Sequence, residues 1–239
     1  MNILLTGVSK GLGLYLAKEL LEKGHSVYGL SRTNTEELTD LKRIFAKTLN
    51  LLQYDLSDCD NIREKIFKEF LDNIQLHAII NNAAIAYDDI ITNAKFESID
   101  EMFRVNVYSP ILLTKYAIRN MILKKTAGTI IHISSISVHT GYKGLSMYAA
   151  SKGALEAFSK NTAREWGSLG IRSNCIVSGF MDTEMSSSLS DDQKNRIYKR
   201  TSQKKAVDPK SIASTIAFLI SDGACSITGQ NIFVDSGTI

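Results

Sequence analysis

Along the chain, short runs of continuously apolar residues alternate with longer stretches in which apolar residues recur at helical spacing. The runs fall at residues 3–5, 26–30, 50–54, 78–80, 129–133, 173–177 and 231–234. They do not alternate apolar with polar, so they predict strands covered on both faces. Helical stretches lie between them, at 12–23, 35–46, 60–72, 99–125, 148–167 and 209–220. Gly24, just past the first helix, suits a left-handed cap, and Asp208 followed by Pro209 reads as an N-cap and first helical residue. Seven strands alternating with six helices imply an α/β chain, with one doubly wound parallel seven-stranded sheet and helices on both faces.

Composition narrows the class. Of 239 residues, 44% are hydrophobic and 22% charged, close to the average of folded domains, so disorder is excluded as the main state. There is no repeat, and the only prolines are Pro110 and Pro209, so no linker divides residues 1–239 and a single domain is expected. One segment, 182–207, lacks sheet character and is long enough to be a substrate lid. Basic residues exceed acidic ones by three, too few to mark the whole chain as a partner of nucleic acid or an anionic membrane. Cys59, Cys175 and Cys225 form no CxxC pair and no Cys/His ligand spacing, so neither a disulfide framework nor a metal site is expected. No apolar run approaches the ~18 residues of a membrane span, and residues 1–6 lack a basic signal-peptide start. A soluble, cytoplasmic protein is the expectation.

The first strand runs into Thr6-Gly7-Val8-Ser9-Lys10-Gly11-Leu12-Gly13, and a helix follows at once. Glycines let the backbone turn tightly against a ligand, and a helix N-terminus favours a pyrophosphate. The GxxxGxG spacing departs from the GxGxxG fingerprint, but it occupies the first strand–helix turn, where a Rossmann-type dinucleotide fold requires it.

Tyr148 and Lys152, four apart, share one face of a helix. A phenol with an ordinary pKa near 10 is a poor acid–base catalyst at neutral pH. An adjacent ammonium lowers that pKa and makes proton exchange with a carbonyl or alcohol feasible. Alone, the pair is a common helical spacing with a structural reading. Ser135 follows the strand at 129–133, at the sheet edge where ligand sites of open α/β folds gather, and a hydroxyl there can hold a carbonyl oxygen. Asn82 ends the preceding strand. Asn106, amid Phe103, Val105 and Val107, reads as a helix kink or a buried hydrogen bond. His132 reads as a core residue and Cys175 as a small core hydrophobe, whereas His139, in a loop with Thr140, Tyr142 and Lys143, is a candidate substrate contact.

Together, Gly7-x3-Gly11-x-Gly13, Asn81-Asn82-Ala83-Ala84, Asn106, Ser135 and Tyr148-x3-Lys152 resemble the short-chain dehydrogenase/reductases in order and spacing, over essentially the whole chain. Asp55, residues 179–183, and Ile227-Thr228-Gly229-Gln230 leading into Phe233-Val234-Asp235-Ser236-Gly237 match further. The ending and the length look most like β-ketoacyl-acyl-carrier-protein reductases. The Tyr–Lys spacing argues against the enoyl-reductase branch, and the short C-terminal region against sugar-nucleotide epimerases. Two positions depart from the pattern. Ser178 stands where relatives usually carry proline, and Leu169 stands where carrier-protein-dependent members often carry arginine.

The resemblance implies NAD(P)H-dependent reduction of a ketone to a secondary alcohol. Tyr148 would donate the proton and Ser135 would orient the oxygen. Lys152 would lower the Tyr148 pKa and bind the nicotinamide ribose, and Asn106 would hold a relay water. Gly7, Ser9, Gly11, Leu12 and Gly13 would frame the phosphates, Asp55 and Leu56 the adenine, and Asn82, Ala83 and Ala84 the adenosine ribose. Gly179, Met181 and Thr183 would complete the cofactor site.

Cofactor choice is legible separately. An NAD-specific site places an acid about 20 residues past the glycines. Here residues 30–33 read Leu-Ser-Arg-Thr, and Arg32 with Lys10 suits the 2′-phosphate of NADP(H). Broad apolar surfaces on helices 99–125 and 148–167, with the resemblance, imply a homotetramer, with a dimer as the alternative. From 184 to 205 the acids are Glu184, Asp191 and Asp192, and the bases Lys194, Arg196, Lys199, Arg200, Lys204 and Lys205. That excess points to a thioester-linked or otherwise anionic keto substrate, or to a solvated helix face. Two other readings stay open: oxidation of a sugar, steroid or polyol alcohol, and a non-catalytic dinucleotide-binding regulator. A pure binder has no chemical need for the Asn–Ser–Tyr–Lys set.

Overall fold

A computed structural model describes residues 1–183, 186 and 190–239. Seven strands form its sheet: β1 (Asn2–Thr6), β2 (Ser26–Ser31), β3 (Leu49–Gln53), β4 (Ala78–Asn81), β5 (Thr129–Ser135), β6 (Arg172–Ser178) and β7 (Asn231–Val234). Their order is β3-β2-β1-β4-β5-β6-β7, and every pairing is parallel. All seven apolar runs are strands, each within two residues of its expected bounds.

Alternation along the strands builds a core on each face of the sheet. Ile3 and Leu5 of β1 point to one side, with Leu16 and Leu20 of α1 (Gly11–Glu22), Leu38 of α2 (Glu36–Ile44) and Ile212 and Ile216 of α7 (Pro209–Leu219). Leu4 points to the other side, with Ile62 and Ile66 of the wide-turned helix Ile62–Phe70 and Leu113 and Met121 of α4 (Ser109–Leu123). The punctuation residues act as expected. Gly24 has φ +79° and its N–H donates to the Leu21 carbonyl at 2.9 Å. The Asp208 carboxylate accepts from the Lys210 N–H at 2.8 Å to open α7.

The stretch 99–125 is not one helix. It divides into α3 (Phe96–Phe103), a π-helical segment Arg104–Tyr108, and α4. The Ser109 N–H reaches back five residues to the Arg104 carbonyl. Pro110 has no N–H to give the carbonyl of Asn106 four residues earlier, and its ring crowds that carbonyl, so a regular α-turn cannot form there. The helix α5 (Ser146–Trp166) follows β5.

Within 182–207 the structure adds α6 (Asp191–Arg200), which opens on a reciprocal cap between Ser190 and Gln193. Residues 184, 185 and 187–189 of this segment, Glu184 among them, lie outside the described residues. Among the described residues no helix is long and apolar enough to cross a membrane, and no group of three or more His, Cys, Asp or Glu side chains is arranged to hold a metal ion.

Candidate active site

Neighbouring strands β1 and β4 feed loops that leave the sheet in opposite directions, and the crevice between such loops is where open α/β sheets bind ligands. The glycine turn sits there. Gly7 has φ +75°, and a Cβ on Gly13 would lie 1.8 Å from the Gly7 carbonyl oxygen, so no side chain fits at Gly13. Asn82 pins the turn by donating to the carbonyls of Thr6 (2.9 Å) and Gly7 (3.3 Å). The N–H groups of Asn82 and Ala83 donate to the Thr6 hydroxyl at 3.0 and 2.9 Å, and Ala84 follows half-buried. The first turn of α1 carries no acid and no side-chain cap, which leaves its N–H groups and positive dipole end suited to a pyrophosphate. Gly11 faces Thr183, 3.9 Å from where its Cβ would stand.

The other residues expected at the cofactor site differ in their partners and burial. The Ser9 carbonyl accepts from the Thr35 hydroxyl at 2.7 Å, and Thr35 also caps α2. Lys10 and Arg32 are exposed, and the Arg32 carbonyl accepts from Gln53 Nε2 at 2.8 Å. The Asp55 carboxylate accepts from the Ser57 N–H at 2.8 Å, and the carbonyl of buried Leu56 accepts from Ser109. Leu12 is buried and Met181 packs against the α1–α7 core. A Cβ on Gly179 would meet Asp235 Cα at 2.6 Å, so glycine is required there by packing. Ser178, in the usual proline position, donates its hydroxyl to the Gly179 carbonyl at 2.9 Å.

Lys152 and Tyr148 share a face of α5, with Lys152 Nζ 5.8 Å from the Tyr148 ring centroid. Lys152 is 2% exposed, and burial lowers its pKa to about 8. Its ammonium donates to the Ile133 carbonyl at 2.8 Å. The expected lowering of the Tyr148 pKa is corrected: burial, with a smaller contribution from the Asp88 carboxylate, pushes the phenol up to about 12. Ser135, at the end of β5, accepts from the Ser137 N–H at 3.1 Å and from its hydroxyl at 3.0 Å.

Asn106 is fully buried in the π-helical segment. Its amide accepts from the Ile85 N–H and donates to the Ile85 carbonyl, both at 2.9 Å, and donates to Ser151 Oγ at 3.1 Å. The Ser151 hydroxyl donates to the Tyr148 carbonyl at 2.7 Å. The side chain expected to hold a relay water thus has protein partners at both ends.

His139, the candidate substrate contact, is engaged within the protein. Its Nε2 lies 2.9 and 3.1 Å from the two carboxylate oxygens of Glu156, and its ring packs edge-on to Phe233 at 4.8 Å. His132 and Cys175 are core residues, both fully buried. No sequence motif singled out Thr35, Ser151 or Glu156, and Thr6 entered only as the start of the glycine turn. Of these only Glu156 had a signal, a carboxylate continuing the four-residue spacing of Tyr148 and Lys152.

A family profile described as Enoyl-(Acyl carrier protein) reductase matches residues 7–238. The chain is 35% identical over 236 residues to the 3-oxoacyl-[acyl-carrier-protein] reductase FabG of Escherichia coli strain K12, covering 98% of this chain and 95% of that protein. Identity to the Haemophilus influenzae reductase of the same name is 34% over 236 residues, covering 98% and 96%. A solved 4-hydroxyisoleucine dehydrogenase complexed with NADH superposes with a TM-score of 0.93 at 28% identity, covering 99% and 98% of the two chains.

Proposed function

The chain belongs to the short-chain dehydrogenase/reductase family, and from that premise we propose that it is an NADPH-dependent ketoreductase converting a 3-oxoacyl-thioester-type ketone into the secondary alcohol. The observation that carries this reading is the close association of Tyr148, Lys152 and the carboxyl end of β5, which bears Ser135, on a chain whose glycine turn is shaped for a dinucleotide. The matched profile is described by enoyl reduction, but the one-turn Tyr148–Lys152 spacing and the 3-oxoacyl relatives favour a carbonyl as the acceptor.

NADPH, when bound, supplies the hydride for the carbonyl carbon. Tyr148 gives its phenolic proton to the carbonyl oxygen, and its raised pKa keeps that proton in place through neutral pH. The Ser135 hydroxyl orients and polarises the same oxygen. Lys152 keeps a cation near the Tyr148 ring, which stabilises the phenolate left by donation. At Asn106 the main-chain carbonyl, to which Pro110 has no N–H to offer, takes over the relay role expected of the residue. Arg32 and Lys10 receive the 2′-phosphate. The bases of α6 and residues 201–205 attract an anionic thioester handle.

The same reading makes the protein a cytoplasmic homotetramer of single-domain subunits. Exposed Phe218 on α7 and Phe233 on β7, 49% and 42% accessible, are apolar surface of the kind that subunit contacts cover. Light scattering that returns a monomer at micromolar concentration removes the assembly from the proposal.

The deciding experiment is a panel of 3-oxoacyl thioesters, simple ketones and enoyl thioesters with NADPH, followed at the nicotinamide absorbance band. Ketone turnover is expected, and Tyr148→Phe is expected to abolish it while NADPH affinity stays within about twofold. Turnover of enoyl substrates alone, or a Phe variant within about tenfold of wild type, overturns the reading.

A further inference from the structure

Glu156 lies one helical turn past Lys152 and two past Tyr148 on α5. Its carboxylate is turned into the protein, with 7% of the side chain exposed. Three side chains from three parts of the chain donate to it. Ser134, adjacent to Ser135 at the end of β5, donates its hydroxyl at 2.5 Å. Asn231, the first residue of β7, donates its amide at 2.5 Å. His139, within the connection 136–145 that joins β5 to α5, approaches at 2.9 Å. Phe233, two residues after Asn231 on the same face of β7, packs against the His139 ring.

A buried carboxylate is costly even when its oxygens are satisfied, and an apolar side chain of similar volume would pack the site more cheaply. What the carboxylate provides is direction. Through one side chain it ties the helix bearing Tyr148 and Lys152 to the strand bearing Ser135, to the midpoint of the connection between them, and to the C-terminal strand. The reaction in turn requires the Ser135 hydroxyl and the Tyr148 phenol to meet at one carbonyl oxygen. A displacement of about 1 Å between such groups costs roughly a hundredfold in rate.

We infer that Glu156, with His139 as its reporter on the connecting segment, is a positioning residue that sets the placement of Ser135 relative to Tyr148. The consequence for catalysis rests on the ketoreductase reading, but the clamp itself does not. Glu156→Gln removes the charge and turns an amide N–H₂ towards the donors. His139→Phe keeps the packing on Phe233 but removes the contact to the carboxylate, and His139→Gln restores a donor there.

Four quantities are measured on each variant: kcat, the dissociation constant for NADPH, melting temperature, and amide hydrogen exchange across 136–145. Glu156→Gln and His139→Phe are expected to lower kcat at least tenfold and to speed exchange in 136–145, with NADPH affinity within twofold. His139→Gln is expected to recover most of the rate, and the double variant Glu156→Gln/His139→Phe to be no slower than Glu156→Gln alone. Because His139 is partly exposed, its variants keep the test usable if Glu156→Gln fails to fold.

The inference is overturned if folded variants of an active wild type keep kcat within twofold. It is equally overturned if exchange in 136–145 is unchanged, or if kcat and NADPH affinity fall together with melting temperature, as for a merely structural residue. A wild type inactive on every ketone overturns the functional reading instead, and the exchange measurement still decides the clamp.

Discussion

The ammonium of Lys152 hydrogen-bonds the main-chain carbonyl of Ile133, two residues before Ser135 on the same strand, at 2.8 Å. This bond holds the helix against the strand end, but it leaves a cation almost fully buried, with its pKa lowered to about 8. The unfolded chain, with an ordinary lysine pKa of about 10.4, binds the proton more tightly, so the stability penalty is fully present below about pH 8 and disappears as pH rises through the window. Its size is about 3 kcal/mol, offset by about 1 kcal/mol from the hydrogen bond. Lys152→Met should therefore abolish turnover yet stabilise the fold by about 2 kcal/mol at pH 7, a gain that shrinks towards pH 10. Denaturant melts at pH 7 and pH 10 check this, and a variant less stable than wild type at pH 7 contradicts it. In the wild type, kcat/KM for reduction should decline above about pH 8.

Gly13 and Gly24 separate two uses of glycine. A Cβ at Gly13 would lie 1.8 Å from the Gly7 carbonyl oxygen and 2.6 Å from Asn82 Nδ2, whereas a Cβ at Gly24 meets nothing within 4 Å. Gly13→Ala should push the turn open, costing on the order of 3 kcal/mol and at least tenfold in NADPH affinity. Gly24→Ala should cost only about 1–2 kcal/mol, from its left-handed backbone, and leave affinity unchanged. Titration of both variants with NADPH by fluorescence, beside thermal melts, distinguishes them. Equal affinities would mean that the glycine turn is not the cofactor cradle.

His132 carries a second pH prediction, of the same sense but in the acid range. Its ring is fully buried between Asn81, whose amide lies 3.2 Å from Nδ1, and Phe158. Burial lowers its pKa to about 3. The unfolded chain takes up this proton near pH 6.5 and the folded chain only near pH 3, so stability is full above about 6.5 and is lost as pH falls through the window. The loss has an upper limit of about 5 kcal/mol. His132→Leu should flatten the decline of stability between pH 6.5 and pH 3. An unchanged acid slope would assign it to other groups.

The sheet was legible because its central strands are covered on both faces and so read as apolar runs; Ile3, Leu4 and Leu5 each have a core to enter. The glycine turn was legible because backbone geometry there admits only one residue type. The break at Asn106 was half legible. Pro110 was visible, but whether its missing N–H would end the helix or widen one turn depended on Ile85, which bonds the Asn106 amide from a loop 21 residues away. Glu156 and His139 were not paired in the sequence because their contact forms only when β7, from the far end of the chain, brings Asn231 and Phe233 to them. The pKa of Tyr148 was expected to fall, since spacing shows a neighbouring charge but neither the burial of the phenol nor the nearby Asp88 carboxylate, which raise it.

Arg32 supports a cofactor prediction. It follows β2, exposed, in the position where an acid would hold a ribose hydroxyl, and Thr35 binds the Ser9 carbonyl so that the Arg32 segment and the glycine turn are held together. NADPH should bind at least tenfold more tightly than NADH, and Arg32→Asp should reverse the order by weakening NADPH far more than it strengthens NADH. Dissociation constants for both cofactors, measured on wild type and variant, decide it. Equal affinities in the wild type would sink the assignment.

The basic segment gives the last prediction. On α6, Lys199 and Arg200 occupy the final turn, where cations also favour the helix dipole, so their presence alone does not require an anionic substrate. Two neighbours are already engaged: Lys194 pairs with Asp182 at 2.7 Å, and Lys204 donates to the Lys199 carbonyl at 2.7 Å. Arg200 differs, because its charge acts on Tyr142, within the connection between Ser135 and Tyr148, and so stands on the side of the proposed site. If the substrate carries a phosphate or a carrier-linked phosphopantetheine, Arg200→Glu should lower its kcat/KM at least tenfold while an uncharged ketone of the same chain length stays within about twofold. Raising salt should compress the difference, since the Debye length falls from about 10 Å at 0.1 M to about 3 Å at 1 M. Lys199→Glu, which reverses a charge at the same helix end without the approach to Tyr142, is the control and should have the smaller effect. Should both substrates respond alike to salt and to Arg200→Glu, the charge of α6 is ordinary solvated surface and plays no part in selecting the substrate.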